Sequence, residues 1–422
     1  MLSIYFALFL RARVRVYIKG FRKLFLWGSC MMKRILHISK YYFPFVGGTE
    51  QVARDAVNAL AGQVEQKVIC FNNELGYKVD VIDDVEIIRC HCVCKLFSQP
   101  LALGFRKKLQ SVLVDFKPDI VIFHYPNPFA AYFLLKKIPK DVKLFVYWHL
   151  DITRQKILGK LFHLQNMALL RRADSVIATS PNYVNGSKYL NKFAEKCVVI
   201  PNSIEDNRLS VTEESSCQAK KIKAENPKKI LCLTVGRHVP YKGIEYLIKA
   251  SKLLDDRFVI NIIGEGELTK DLKKMAADDS KIKFLGKVGN TVLKAYYQAS
   301  DIFCFSSITK NEAFGLALAE AMYFGLPAVT FTISGSGVNY VSKNGETGIE
   351  VPNRNVEEYA RAIKKLADSS ELREKLGKSA SNRVAENFLF TQYKQTLISL
   401  VFGEQKIEHK DHAKACIQEA LA

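Results

Sequence analysis

Short apolar runs alternate with segments of helical periodicity from Arg34 onward, and this alternation restricts the fold more than any other feature of the chain. It is typical of βαβ units, in which crossover helices join parallel strands. The predicted strands fall into two groups on either side of a polar stretch. The first group covers 35–39, 68–71, 85–94, 120–124, 144–149, 176–179 and 197–200. The second covers 230–235, 258–263, 283–285, 302–306, 328–331 and 348–351.

The two groups of strands predict two α/β domains, since 422 residues exceed what one core usually organises. We place the N-terminal domain at 31–204, a polar linker at 205–229 and the C-terminal domain at 230–385. A last helix over 386–402 and a charged tail over 403–422 follow. Residues 1–30 stand apart as a leader.

The leader combines an apolar start, Met1 to Leu10, with six basic residues and no acidic ones. Its apolar run is too short to span a bilayer, and its charges follow that run, whereas a secretory signal has them first. Two interpretations remain open. The leader is a basic segment that lies on anionic lipid, or translation starts at Met31 or Met32 and the leader is an artefact of the reading frame.

The excess of basic over acidic residues indicates which class of partner the chain binds. Lys and Arg number 62 against 42 Asp and Glu, a formal charge of +20, which favours anionic partners such as phosphorylated substrates or anionic lipid. No zinc-finger spacing or aromatic RNA-binding signature occurs, so nucleic acid is not expected. The ten Cys include Cys90, Cys92 and Cys94, whose alternate spacing on a strand indicates reduced thiols rather than a zinc site.

The stretch from Asn311 to Met322 carries the strongest functional signal. Glu312 lies in a loop that turns at Gly315 into a short helix, and that helix bears Glu320. A helix start offers free N–H groups and the positive end of the peptide dipoles, so it suits a phosphate. A carboxylate on each side can accept hydrogen bonds from sugar hydroxyls. This arrangement favours a nucleotide sugar, although a solvated helix face is the plain alternative.

Other candidates follow predicted strands, at the edge where parallel sheets bind ligands. Arg237 and Lys242 are spaced so that both can reach one diphosphate. Gly264 and Gly266 resemble half of a dinucleotide fingerprint, but no third Gly precedes a helix, so NAD is not expected. The remaining candidates are weaker by themselves and admit a purely structural role: Gly47, Gly48, His124, His149 and Asp151.

Together these motifs resemble the family-4 retaining glycosyltransferases, most closely those that build bacterial O-antigen, capsular polysaccharide or exopolysaccharide. The resemblance covers roughly residues 33–400. In the second domain it rests on Gly236-Arg237 with Tyr241-Lys242-Gly243, then Gly264-Glu265-Gly266, then Glu312-Ala313-Phe314-Gly315 with Glu320-Ala321. In the first domain it rests on Gly47-Gly48-Thr49-Glu50 and His149-x-Asp151. The leader has no counterpart in the family pattern.

The resemblance implies a GT-B fold, with two Rossmann-like domains that face each other across a cleft and a C-terminal helix that crosses back to the first domain. It also implies the roles of the candidate catalytic residues: Arg237 and Lys242 on the donor diphosphate, Glu312 on the hexose hydroxyls and His149 facing the donor sugar. Glu320 would bind the ribose. Backbone groups around Phe314, Gly315 and Leu316 would hold hexose and phosphate. The other candidate substrate-binding residues are Gly47, Gly48, His124, Asp151, Gly264 and Gly266.

The expected activity is metal-independent, retaining transfer of a hexose from GDP-mannose or a UDP-hexose to a lipid-linked saccharide, on the cytoplasmic face of an anionic membrane. No cofactor is expected, because Arg237 and Lys242 can neutralise the leaving diphosphate. In addition, no Asp-x-Asp metal motif precedes the residues of the cleft in the sequence. Two alternatives remain. One is a GT-B sugar-nucleotide epimerase, and the other is a catalytically silent subunit that binds donor or scaffolds a partner enzyme.

Overall fold

The computed structural model describes residues 32–45, 47–72, 74, 76–96, 99–152 and 158–403. The leader predicted over 1–30 lies outside these residues, as does the predicted tail beyond Gly403. Within them, two separate parallel sheets with flanking helices confirm the two predicted α/β domains.

In the described part of the N-terminal domain there are ten strands, most of them buried. They are β1 (Arg34–Ile38), β2 (Glu65–Phe71), β3 (Lys78–Ile82), β4 (Val85–Cys90), β5 (Cys94–Leu96), β6 (Gln99–Leu101), β7 (Ile120–Tyr125), β8 (Lys143–Trp148), β9 (Ser175–Ala178) and β10 (Cys197–Val199). Eight form one sheet in the order β10-β9-β8-β7-β1-β2-β4-β3, and β5 pairs with β6 in a separate hairpin. Every pair in the large sheet is parallel except β3 with β4. Strand β7 is buried along its whole length, as expected for a sheet that is covered on both faces.

Among the same described residues, five α-helices lie between these strands. They are α1 (Gly48–Leu60), α2 (Phe105–Phe116), α3 (Pro128–Lys137), α4 (Leu158–Arg172) and α5 (Pro181–Gly186). Helix α3 begins where its sequence requires, because Asn127 accepts a hydrogen bond from the backbone N–H of Ala130 and Pro128 occupies the first turn. The start of α3 therefore lies directly after the carboxyl end of β7.

The C-terminal domain has a six-stranded sheet in which all neighbours are parallel. Its strands are β11 (Ile230–Val235), β12 (Phe258–Ile263), β13 (Ile282–Gly286), β14 (Ile302–Phe305), β15 (Ala328–Phe331) and β16 (Gly348–Val351), in the order β13-β12-β11-β14-β15-β16. The helices that precede and cover this sheet are α6 (Asp206–Leu209), α7 (Glu213–Ala224), α8 (Ile244–Ser251), α9 (Thr269–Met275), α10 (Asn290–Ala299), α11 (Leu316–Tyr323), α12 (Val338–Val341), α13 (Val356–Asp368) and α14 (Ser370–Asn387).

The last helix, α15 (Phe390–Phe402), returns to the N-terminal domain, as the resemblance implies. Its buried residues Tyr393, Leu397 and Val401 belong to the core cluster that also contains Ile35 of β1 and Val52 of α1. Lys33 donates a hydrogen bond to the carbonyl of Val401 at 2.9 Å. The chain is thus tied at both ends of its described part to the same domain.

Two segments differ from their sequence-based description. The strand predicted over 85–94 ends at Cys90, so Cys90, Cys92 and Cys94 do not share a strand face as expected. Residues 205–229, described from the sequence as a linker, contain α6 and α7. Helix α7 is anchored to α10 of the C-terminal domain, where Gln298 donates a hydrogen bond to Ser215 at 2.9 Å.

Candidate active site in the cleft

A cavity of about 530 Å³ lies between the two domains, where loops from the carboxyl ends of both sheets meet. Parallel sheets bind ligands at this edge, because their crossover loops converge there. The sequence-predicted residues that line the cavity are Gly47, Gly48, His124, His149, Arg237, Lys242, Glu312, Phe314, Gly315 and Leu316. Four others lie outside its lining: Asp151, Gly264, Gly266 and Glu320.

Glu312 and Lys242 form an ion pair in the cavity lining, with Lys242 Nζ 2.5 Å from Glu312 Oε2. The side chain of Lys242 is 14% exposed and that of Glu312 is 11% exposed, so the charges face the cavity rather than bulk solvent. Ser307 donates a hydrogen bond to the same Oε2 at 2.9 Å. Both contacts use one carboxylate oxygen, and they fix the Glu312 side chain in one orientation.

Lys242 is presented by a tight connection between β11 and α8. A 3₁₀ turn over Pro240–Lys242 leads into Gly243, which has a φ of +59° and whose position leaves no room for a Cβ beside the carbonyl of Ser306. Ser306 in turn donates a hydrogen bond to the carbonyl of Lys242 at 3.0 Å. Lys242 Nζ lies 5.1 Å from the centre of the Phe305 ring, within cation–π range. The turn therefore aims the ammonium group at the cavity.

Gly264 and Gly266 support the Arg237 loop from behind. A Cβ at Gly264 would collide with the carbonyl oxygen of Gly236, and one at Gly266 with the carbonyl of His238. The sequence-based expectation places both glycines on the substrate. In the structure both lie outside the cavity lining and pack against the backbone on either side of Arg237, because two loops meet there without room for side chains. Their role at the substrate stays a prediction.

Helix α11 begins at the cavity, and Gly315 makes the turn into it with a φ of +97°. Because the first N–H groups of a helix have no partners within the helix, this start presents hydrogen-bond donors and a positive dipole end to the cavity. Glu320 is on the same helix but points elsewhere. Its Oε1 pairs with Arg208, and its Oε2 accepts a hydrogen bond from Tyr297 at 3.0 Å.

Two histidines stack at the carboxyl ends of β7 and β8. Nδ1 of His124 lies 3.1 Å from Nε2 of His149, with ring planes 8° apart, and both side chains line the cavity. Burial lowers the pKa of His149 to about 3 and holds the pKa of His124 well below its ordinary value. Both imidazoles are therefore neutral near pH 7, and the shared proton makes one nitrogen of the pair a donor and the other an acceptor.

Asp151 is held away from the cavity by neighbouring side chains. Its Oδ1 accepts hydrogen bonds from Trp148 Nε1 at 3.0 Å and Ser187 Oγ at 2.8 Å. Its Oδ2 pairs with Lys310 of the C-terminal domain at 3.0 Å. The structure therefore places Asp151 between the domains and outside the cavity lining, and its contact with substrate stays a prediction.

The cavity also contains residues that sequence reasoning did not select. Lys40 and Tyr41 lie just after β1. Glu50, which is part of the Gly47-Gly48-Thr49-Glu50 motif but was not assigned to the substrate, lies at the start of α1, buried and accepting a hydrogen bond from Thr49 at 2.9 Å. Lys40 and Tyr41 carry a signal that could have found them, because they follow the carboxyl end of a parallel strand. Arg208, which pairs with Glu320, lies in a polar segment with no motif and carries no such signal.

Among the residues that the structure describes, no cluster of three or more His, Cys, Asp or Glu side chains is arranged to hold a metal ion. No helix in the same part of the chain combines the length and the apolar character needed to cross a membrane.

Family models match both halves of the chain. The model described as Glycosyltransferase Family 4 matches residues 46–208, and the model described as Glycosyl transferases group 1 matches residues 216–383. An uncharacterised glycosyltransferase of Methanocaldococcus jannaschii is 31% identical over 387 residues, which cover 82% of this chain and 93% of that protein.

Two relatives with assigned activities are of similar length. The O-antigen chain mannosyltransferase C of Escherichia coli is 27% identical over 359 residues, 84% of this chain and 94% of its own length. The D-rhamnosyltransferase WbpZ of Pseudomonas aeruginosa is 28% identical over 361 residues, 84% and 92% of the two chains.

Solved structures share the fold at low identity. A sucrose-phosphate synthase from Thermosynechococcus elongatus superposes with a TM-score of 0.73 at 19% identity, covering 88% of this chain and 98% of that one. HepE of Anabaena, solved with UDP and glucose, superposes with a TM-score of 0.70 at 18% identity, covering 89% and 100%.

Proposed function

We propose that this chain, which belongs to glycosyltransferase family 4, transfers a hexose from a nucleotide sugar to a lipid-linked saccharide during biosynthesis of a cell-surface polysaccharide. The observation that carries this proposal is the convergence of Arg237, Lys242, Glu312 and the start of α11 on one interdomain cavity. The assigned activities of the mannosyl- and rhamnosyltransferase relatives support hexose transfer. GDP-mannose and UDP-hexoses are the donor candidates, the latter also because HepE binds UDP.

The donor diphosphate would lie between Arg237, Lys242 and the amino end of α11. All three are positive, so they can stabilise the charge that develops on the leaving diphosphate. Because the protein supplies this charge, we propose that transfer needs no metal ion. Activity that persists after chelation with EDTA supports this part of the proposal, and activity that returns only with added Mg²⁺ or Mn²⁺ contradicts it.

The hexose would lie between Glu312 and His149, which face the same cavity. The contacts of Glu312 to Lys242 and Ser307 both use Oε2, so its Oε1 is suited to accept a hydrogen bond from a sugar hydroxyl. His149 is neutral near pH 7 and can donate or accept a single hydrogen bond through Nδ1. Ribose binding by Glu320 would require its contact with Arg208 to rearrange, since that contact occupies Oε1.

We propose retention of the anomeric configuration by front-face transfer, in which the departing phosphate oxygen takes the proton of the acceptor hydroxyl. The acceptor oxygen bonds to the anomeric carbon as the bond from that carbon to the phosphate oxygen breaks. Glu312 supports this mechanism over a covalent one, because its carboxylate is ion-paired with Lys242 and poorly suited to attack. NMR of the product tests it: an inverted anomeric centre, or a glycosylated Glu312 trapped by mass spectrometry, contradicts it.

We propose the class of acceptor and the location of the enzyme from the net charge of the chain. A formal charge of +20 suits a chain that works beside anionic lipid and on a diphosphate-linked acceptor. We therefore place the enzyme as a peripheral protein on the cytoplasmic face of the membrane. Its N-terminal domain offers a matching surface, formed by Arg106, Tyr132, Phe133, Lys136 and Lys137 and named here the α2–α3 surface.

The deciding experiment measures turnover of a panel of UDP- and GDP-sugars, with membrane extract as the source of acceptor and Lys242→Ala as the comparison. Nucleoside diphosphate released from one donor by the wild type, and not by the variant, identifies a transferase and its sugar. Tight donor binding without turnover indicates a silent subunit instead. Interconversion of the sugar without acceptor indicates an epimerase, and no binding to any donor rejects the assignment.

A further inference from the structure

We propose that Lys310 is a positioning residue: it reaches from the C-terminal domain into a socket on the N-terminal domain and so fixes the loop that carries Glu312. The socket consists of the carboxylate of Asp151 and the carbonyl of Gly186. This inference rests on the proposed function, since the loop it fixes is the one assigned to the donor sugar.

The contacts of Lys310 span the two domains. Its Nζ lies 3.0 Å from Asp151 Oδ2 and 2.9 Å from the carbonyl oxygen of Gly186. Lys310 belongs to the loop between β14 and α11, two residues before Glu312. The two acceptors come from the ends of β8 and α5, in the other domain. A single ammonium group thus connects the catalytic loop to the opposite wall of the cleft.

The socket is built by the N-terminal domain alone. Asp151 is 2% exposed, and hydrogen bonds from Trp148 and Ser187 to Oδ1 leave Oδ2 directed at Lys310. The backbone N–H of Asp151 donates to the Tyr183 hydroxyl at 2.7 Å, which fixes the backbone as well. A buried carboxylate is costly without a cation, so the socket favours the closed arrangement in which Lys310 fills it.

The same loop is held on its far side too. Thr179 of the N-terminal domain donates a hydrogen bond to the carbonyl of Ala313 at 3.0 Å, one residue after Glu312. Nearby, the backbones of Gly186 and Gly335 touch across the domain boundary, where a Cβ on either would collide with the other. Glu312 therefore lies between two contacts that exist only while the domains are together. Closing the cleft and orienting Glu312 become one event.

Loss of Lys310 has different expected effects if its salt bridge positions Glu312 and if it only stabilises the fold. If Lys310 positions Glu312, its loss lowers kcat, because a displacement of about 1 Å at a reacting group can cost on the order of 100-fold in rate. Binding of the nucleoside diphosphate should weaken less than kcat falls, because Arg237 lies outside the loop that Lys310 fixes, whereas Lys242 and the start of α11 are connected to that loop. A purely stabilising bridge lowers the melting temperature and leaves kcat unchanged at a temperature where the protein is folded.

The experiment compares Lys310→Met, Asp151→Asn and the double variant with the wild type, using the donor identified by the turnover panel. We expect each single variant to lose on the order of 10- to 100-fold in kcat, and clearly less than that in affinity for the nucleoside diphosphate. The double variant should lose no more than the worse single variant, because both changes break one contact. Lys310→Arg should regain most of the activity, since a guanidinium can reach the same two oxygens.

Lys252→Met is the matched control, because it removes an exposed lysine–carboxylate pair, with Asp278, inside the C-terminal domain. It should retain wild-type kcat. Wild-type kcat in Lys310→Met overturns the proposal. Losses that multiply in the double variant also overturn it, because they show that Asp151 acts on the substrate independently of Lys310.

Hydrogen exchange tests the proposal independently of turnover. Backbone amides over 308–316 should exchange faster in Lys310→Met than in the wild type or in Lys252→Met, and unchanged exchange overturns the proposal. A wild type that turns over no donor rejects the proposed function and leaves this measurement to decide the role of Lys310.

Discussion

Opposite charges on Lys242 and Glu312 keep each other in place in the cavity, and each depends on the other. Removal of one partner leaves the other as a nearly buried, unpaired charge. Lys242→Met should therefore lower the free energy of unfolding by about 3 kcal/mol and kcat by at least 100-fold, since it removes a diphosphate ligand as well. Chemical denaturation and donor turnover measure the two effects.

Lys242→Met combined with Glu312→Gln separates these effects. The double variant has no unpaired charge, so it should recover most of the lost stability while its activity stays low. Recovery of activity together with stability would contradict the assignment of both side chains to the donor.

Buried histidines make stability depend on pH. Burial lowers the pKa of His37 from 6.5 to about 4, opposed by its hydrogen bond with Gln66 at 3.0 Å. The unfolded chain therefore binds a proton between pH 6.5 and 4 that the folded chain does not, so stability falls as the pH falls through this window. One group shifted in this way contributes about 3 kcal/mol of loss by pH 4. Urea denaturation across the window measures it.

His37→Gln isolates this contribution, because other groups titrate in the same range. Burial raises the pKa of Asp55 to about 7, and this group acts in the opposite direction, favouring the folded state as the pH falls from 7 towards 3.8. The difference between wild type and His37→Gln cancels the effect of Asp55. A difference that stays constant from pH 7 to pH 4 would contradict the assigned burial of His37.

Among the elements, the connections of the C-terminal sheet depend on glycines that permit close approach. Gly264→Ala should force apart the β12 and β11 connections, because Gly264 has a φ of +122° and no room beside the Gly236 carbonyl. We expect a loss of roughly 1–3 kcal/mol in stability and weaker binding of the nucleoside diphosphate, measured by calorimetry. Gly289→Ala is the matched control, since its φ is −70° and nothing lies within 4 Å of its Cβ position.

The sequence predicts the buried strands well and the exposed ones poorly. Strands such as β11 and β15 are apolar except for one Thr each, and their predicted bounds match the structure. Strand β3 was missed because Lys78 and Asp80 interrupt its pattern, and it lies at the edge of its sheet, exposed along much of its length. Edge strands carry this polar pattern because they must not pair with other chains.

Residues of the candidate site can likewise be predicted from the sequence only where their pattern is local. Motifs that follow one strand, such as Glu312 with Gly315, can be recognised locally, and the cavity contains both. The pairing of Lys310 with Asp151 joins residues 159 positions apart in different domains, so no spacing reveals it. Gly264 and Gly266 carry a pattern that suggests a ligand, and the structure adds a packing role against the Arg237 loop that the pattern does not reveal.

At the scale of the whole molecule, α15 and the interdomain contacts hold the two domains together as one unit. Helix α15 follows the C-terminal domain in sequence but contributes Tyr393, Leu397 and Val401 to the core beneath β1 and α1. Gln51 of α1 donates a hydrogen bond to Glu205 at 2.7 Å, next to the connection between the domains. Any opening of the cleft is therefore guided by segments anchored to both halves.

The α2–α3 surface is where we expect this unit to meet anionic lipid. Tyr132 is 48% exposed, and Lys136 Nζ lies 4.1 Å from the centre of its ring. Arg106 and Lys137 line the same depression of about 390 Å³. Leu103, which precedes Arg106 by three positions in the chain, is 88% exposed. Exposed apolar groups among basic ones suit a surface that lies against headgroups, where each Lys or Arg contributes about 1 kcal/mol.

Reversing the charge of Lys136 and Lys137 to Glu should therefore weaken binding to phosphatidylglycerol vesicles by at least about 2 kcal/mol, roughly thirty-fold, in a flotation assay at low salt. The same two reversals at the exposed Lys220 and Lys223 of α7 change the net charge equally in the C-terminal domain and should have a much smaller effect. Equal losses in both variants would show that overall charge, rather than the α2–α3 surface, governs binding. Because salt screens exposed charges, wild-type binding should also fall as ionic strength rises, whereas binding that ignores salt would rule out an electrostatic surface.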